Sequence, residues 1–162
     1  MINIHNTAVV SKLADIEDSV RGTKIYIGEY SVIDSFVKFK PAGGYGDITI
    51  GAYTVINSGC VLYSGNGIII GNYVAIAANC TLAPVNHAYK EKNILIREQG
   101  FIPSKGGITI EDDVWIGANC VILDGAILRR GSVVAAGSVV RGELDAYGVY
   151  SGSPVSYKGS RE

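Results

Sequence analysis

Histidine is scarce in this chain. Its 162 residues include only His5 and His87, with three cysteines, one tryptophan and four prolines. Two histidines exclude a three-histidine metal site within one chain, so zinc hydratase chemistry runs out of ligands. An odd number of cysteines disfavours a disulfide framework. Charge is sparse and balanced: 14 Lys and Arg face 15 Asp and Glu, a net charge of -1. That leaves no basic surface for nucleic acid and no polybasic anchor for a membrane. No apolar run approaches the roughly 18 residues that a bilayer span needs. The first residues, Met-Ile-Asn-Ile-His-Asn, lack the basic and apolar regions of a signal peptide. A cytoplasmic protein without membrane insertion or a nucleic-acid partner is expected. Apolar residues make up 48% and charged residues 18%, which suits a folded chain, and the length suits one domain over 1–162.

What is abundant is glycine, 21 residues, and tyrosine, 10 residues. Helical periodicity is nearly absent, and a longer period replaces it. An aliphatic residue recurs every six positions, with a small residue four positions after it. The run Ile110, Ile116, Ile122, Leu128, Val134, Val140 is unbroken, and blocks of three precede it: Ile4, Val10, Ile16; Ile27, Ile33, Phe39; Ile50, Ile56, Leu62; Ile70, Ile76, Leu82. Three six-residue units make a triangular coil, and stacked triangles make a parallel β-helix. The fold class expected is all-β, with about six coils at 4–21, 27–44, 50–67, 70–87, 110–127 and 128–145. Insertions at 22–26, 45–49, 68–69 and 88–109 all follow a third unit, which puts them at one vertex. The long excursion at 88–109 is the functional one by default. Residues 146–162 read as an irregular tail. Cys60, Cys80 and Cys120 fall at the inward small site of the second unit in successive coils, as core residues. Asn66 and Asn86 fall at the inward small site of the third.

Five strings carry a family resemblance: Asn86-His87 before the long loop; Arg97-Glu98-Gln99-Gly100 within it; Asp112-Asp113-Val114-Trp115-Ile116-Gly117-Ala118-Asn119; Ala135-Ala136-Gly137-Ser138-Val139-Val140; and Tyr150-Ser151-Gly152-Ser153-Pro154. With the repeat, they make the chain resemble the hexapeptide-repeat acyltransferases. Within these it is most similar to the saccharide O-acetyltransferases of surface polysaccharide synthesis and the galactoside and maltose acetyltransferase branch. The resemblance implies a left-handed β-helix, acetyl-CoA as donor, no required metal, and a homotrimer with sites between chains.

Acetyl transfer to an alcohol needs a base for the hydroxyl proton and a donor for the oxyanion. Histidine is the residue type best matched to that base near neutrality. His87 stands at an outward corner where the long loop begins, and the family's catalytic histidine maps onto it. Asn86, Glu98 and Gln99 are candidates to orient the imidazole or bind the acceptor. Direct transfer needs no protein nucleophile. On the second face, the residues after each aliphatic position are all small from the third coil to the sixth. They include Ser58, Ala78, Gly117, Ala118, Ala135 and Ala136. They form a smooth channel in which an extended pantetheine arm could lie. Trp115, outward and just before it, is a candidate wall for donor or acceptor. Arg141, near the channel end, and Lys158 in the tail are the candidate phosphate contacts.

The expected function is acetyl-CoA-dependent O-acetylation of a saccharide hydroxyl, with His87 as general base. The alternative is N-acetylation of an amino sugar or sugar nucleotide, or acetylation of an antibiotic-like molecule. A purely structural β-helix would carry a flat threonine array in place of a long loop starting at a histidine.

Overall fold

The computed structural model describes residues 1–162. It is a three-sided left-handed β-helix, each side one sheet whose coil strands run parallel. The first sheet stacks Ile2–Ile4, Ile25–Ile27, Ile48–Ile50, Ile68–Ile70, Ile108–Ile110, Ile127–Leu128 and Glu143–Leu144 in that order. The second stacks Val9–Val10, Val32–Ile33, Val55–Ile56, Ala75–Ile76, Trp115–Ile116, Val133–Val134 and Gly148–Gly152. The third runs from Asp15–Ile16 through Lys38–Lys40, Val61–Tyr63, Thr81–Ala83 and Val121–Leu123 to Val139–Val140.

Register follows the six-residue frame. Ile50 pairs with Ile70, Ile56 with Ile76, and Leu62 with Leu82, so each aliphatic residue stacks on its equivalent one coil away. These columns are the core: Ile27, Ile50, Ile33, Ile56, Ile76, Ile116, Phe39, Leu62, Leu82 and Ile122 are buried in one apolar cluster. The small column of the second unit is equally interior. Each cysteine donates its thiol hydrogen to a carbonyl one coil up: Cys60 to Ala77 at 3.1 Å, Cys80 to Gly117 and Cys120 to Ala135, both at 3.2 Å. A thiol is small enough for this corner, and its weak donor finds an acceptor there.

The corner between the first and second sheets bends through a left-handed residue. Tyr30, Tyr53 and Tyr73 hold φ of 52°, 55° and 56°, a conformation that disfavours side chains bearing Cβ. Their rings stack at centroid distances of 5.0 and 5.1 Å, and this ladder offsets the backbone cost.

Three expectations need correction. The third-unit small site is not generally inward: Val20 is fully exposed and Asn66 and Asn86 are half-buried at the vertex. The frame is lost there because this vertex absorbs every insertion. Only Ala126, where no residues are inserted, is buried in that place. Next, Leu144 is not the small partner of Val140. It pairs with Leu128 on the first sheet and starts a partial seventh coil, because the last vertex is two residues short. Finally, 146–162 is not irregular. Gly148–Gly152 extends the second sheet, and Val155–Ser160 returns antiparallel on it.

Candidate active site

The third-to-first vertex is where the chain departs from regularity most, in the excursion after Thr81–Ala83. Asn86 and Ala88 leave the prism side by side with the returning segment. Ile102 donates its amide to the Asn86 carbonyl at 2.9 Å, and Ala88 donates to Gly100 at 2.9 Å. His87 bridges Phe101 in this short antiparallel pairing, and their rings lie 4.5 Å apart at 51°. The imidazole is therefore held on one side by an aromatic face and is exposed on the other. Neither His87 nor Asn86 spends its side chain on a hydrogen bond within the chain.

The loop between them carries a 3-10 turn, Ile96–Glu98. Gln99 stitches this loop to itself: its amide nitrogen donates to the carbonyls of Glu91 and Ile94 at 2.9 and 2.8 Å, and its oxygen accepts from the Glu91 amide at 3.2 Å. Its bonding groups serve the loop, and Glu98 is exposed on it. The loop also presents Ile94, Leu95 and Ile96 to solvent, Leu95 at 70% exposure.

Beside His87 opens a cavity of about 650 Å³, lined by Asn86, Tyr89, Ile102, Lys105, Leu123, Asp124 and Arg141 among others. This size suits a small-molecule site. Of the residues singled out in the sequence, it gathers Asn86, His87 and Arg141. Arg141 is not at the end of the small-residue channel. It follows Val139–Val140 on the third sheet, so the turn of the coil carries it to the same vertex as His87.

Asp124 was missed by sequence reasoning, although a carboxylate at a corner otherwise made of small residues was its signal. It is 5% exposed. One oxygen accepts from the Lys105 amide at 2.8 Å and from Asn66 Nδ2 at 3.3 Å, and the other accepts from the Gly107 amide at 2.9 Å. Three donors and no cation satisfy the buried charge. They also pin the end of the excursion onto the prism. Gly125 then donates to Gly107 at 2.6 Å and Ile108 to Gly67 at 3.0 Å, which restarts the first sheet.

The remaining candidates lie elsewhere on the surface. Trp115 projects from the second sheet, 54% exposed. The small residues after it turn the next corner, between the second and third sheets, rather than lining a flat face. Ala118 and Ala135 are half-buried and Ala136 is exposed. A Cβ on Gly117 would stand 2.5 Å from the Ala136 nitrogen, so glycine is what lets these coils approach. Along this column Asn119 donates to Ala78 at 3.0 Å and Gly137 to Ala118 at 2.8 Å, while the amides of Ser58, Ala78, Ala118 and Ala136 donate to nothing in the chain. Lys158 is exposed on the final strand. The third sheet separates this column from His87 within one chain.

Residues 107–142 match the family model described as bacterial transferase hexapeptide (six repeats). A probable acetyltransferase of Mycobacterium tuberculosis is 27% identical over 161 residues, 99% of this chain and 48% of that protein. The 2,3,4,5-tetrahydropyridine-2,6-dicarboxylate N-acetyltransferase of Clostridium perfringens is 58% identical over 52 residues, 32% of this chain and 22% of that one. The chain thus spans about half or less of the curated relatives it matches. Among solved structures, a point mutant of AntD, an N-acyltransferase from Bacillus cereus in complex with dTDP-4-amino-4,6-dideoxyglucose and coenzyme A, superposes with a TM-score of 0.83. It shares 24% identity, and the match covers 99% of this chain and 84% of that one. The chain carries the hexapeptide repeat of bacterial transferases and has acetyltransferase relatives.

Proposed function

We propose that this protein is an acetyl-CoA-dependent acetyltransferase acting on an amine of a sugar-derived acceptor, with His87 taking the amine proton. The observation that carries the reading is His87 itself. It is an exposed imidazole at the edge of a cavity, backed by Phe101, with its nitrogens free of partners inside the chain. The preference for nitrogen over the hydroxyl first expected comes from the relatives: an N-acetyltransferase and an N-acyltransferase stand among them.

In this reading the acceptor nitrogen attacks the thioester carbonyl and His87 removes the proton it sheds. The carbon–sulfur bond breaks, and the imidazolium returns the proton to the departing thiolate. Asn86, with its amide unspent, is suited to orient the acceptor. The column Ser58, Ala78, Ala118, Ala136 is suited to the donor. Small side chains leave room for a pantetheine arm, and the four unpartnered amides offer it backbone bonds. Trp115 would flank that arm, and Lys158 would serve its phosphates.

Because the third sheet separates the two groups, one chain alone does not bring donor and His87 together. A homotrimer, with His87 of one copy facing the column of the next, would complete the site and bury Ile94, Leu95 and Ile96. The test is thiol release from acetyl-CoA with matched amino and hydroxy sugars, alongside sedimentation at micromolar concentration. Release with amino sugars by a trimer is the expected result. Release with hydroxy sugars alone would return the reading to O-acetylation, and a monomer would remove the shared site.

A further inference from the structure

We infer that Lys105 and Arg141 form an anion subsite in the His87 cavity, which selects an acceptor carrying a phosphate or diphosphate. The inference rests on the acetyltransferase reading of that cavity and adds a substrate class to it. Both cations line the cavity with His87, yet neither enters any of the chain's ion pairs, which engage the N-terminal amine, Lys38, Lys40, Arg129 and Arg161 with carboxylates. The acid nearest in sequence to Arg141 is Glu143, and it is held by Arg129 at 2.6 Å. The one carboxylate within the cavity, Asp124, accepts from two backbone amides and Asn66 and pairs with neither cation. It fixes Lys105 through its amide without pairing with its ammonium.

The lysine stem is seated as well. A Cβ on Gly125 would stand 2.8 Å from Lys105 Cβ and 3.7 Å from Cδ, so the bare glycine leaves the groove in which the stem runs. Arg141 reaches the cavity from the top coil and Lys105 from the returning loop. They approach from two elements, with the histidine on a third. A point charge beside a planar fork suits phosphate oxygens. Both cations are exposed to solvent in the cavity, and a neutral sugar would offer neither of them a counter-charge. The cavity is large enough for a sugar ring with its phosphate attached.

The test compares the parent with Lys105→Gln and Arg141→Gln. Calorimetric titration with inorganic diphosphate reads the subsite without activity. Thiol release is then measured with glucosamine and glucosamine 1-phosphate, and with 4-amino-4,6-dideoxyglucose free and dTDP-linked. The parent should bind diphosphate saturably, and each variant about 10- to 100-fold more weakly, the usual worth of a charged hydrogen bond. The parent should favour the phosphorylated member of a pair, and the variants should narrow that preference by a similar factor. Repeating the assay with acetylpantetheine, which lacks all of the phosphates of coenzyme A, separates the source of the anion. If the variants' losses vanish with that donor, the pair serves coenzyme A and the inference falls. Diphosphate binding unchanged in both variants would also overturn it. If diphosphate binds as expected but no acceptor releases thiol, the acetyltransferase reading fails and the anion subsite stands.

Discussion

Replacing Asp124 by alanine should detach the end of the long excursion from the prism while leaving the coils in place. The carboxylate is 5% exposed and accepts from the Lys105 amide at 2.8 Å, the Gly107 amide at 2.9 Å and Asn66 at 3.3 Å. Orphaning a buried amide costs about 1–3 kcal/mol, and two backbone amides lose their acceptor. Against this, the variant no longer keeps a charge out of water, which returns part of the loss. The net destabilisation is about 2–3 kcal/mol, or a fall in Tm of about 5–10 °C for a chain of this size. Asp124→Asn keeps one acceptor oxygen and should lose about half as much. Thermal unfolding gives the total. Hydrogen exchange locates it: the Lys105 and Gly107 amides should lose protection while the Cys120–Leu123 amides keep theirs. A Tm within about 1 °C of the parent, with both amides still protected, would refute the clamp.

His87→Ala should fold normally but turn over about 10²–10⁴-fold more slowly, the usual contribution of a general base. Its KM for acetyl-CoA should barely change in steady-state thiol release, and near-normal turnover would end the mechanism. Ala136→Leu should bind acetyl-CoA about 10²-fold more weakly by calorimetric titration. Ala136 is exposed, so its Tm should match the parent; unchanged affinity would place the donor elsewhere. The three thiols should label slowly with a thiol reagent until the chain is unfolded, since all are buried. Cys80 also makes stability pH-dependent. Its bond with Cys120 lowers its pKa, but the Cys60 thiol and burial outweigh this and hold it at about 11. An unfolded thiol ionises at about 8.5. The contribution is thus fully present below about 8.5 and lost as pH rises towards 11. Tm should fall more steeply over that window in the parent than in Cys80→Ala, and parallel curves would contradict the assignment.

Much of the fold was legible because a β-helix repeats its local geometry. When every coil turns through the same short corners, a residue's place in a six-residue frame states whether it faces inward. This is why Cys60, Cys80 and Cys120 could be assigned to the core, and Trp115 and His87 to the outside, from spacing alone. The frame failed where the repeat is interrupted. It misplaced Asn66, Asn86 and Leu144 at the one vertex that absorbs insertions and deletions. It made the tail irregular, because the final strand pairs antiparallel and so obeys no period of six.

The site divides in the same way. That a histidine opens the long loop, and that a column of small residues climbs the prism, are facts of residue type and spacing, and the sequence alone determines them. Which groups share a cavity with that histidine was decided by contacts between residues far apart in the chain. Arg141 comes to His87 because the winding of the coil returns it to the same vertex. Lys105 comes there because Asp124, on the next coil, captures its amide. Neither follows from local preference. A loop's path depends on where its backbone donors find acceptors, and for this loop the acceptor is a buried carboxylate on another coil.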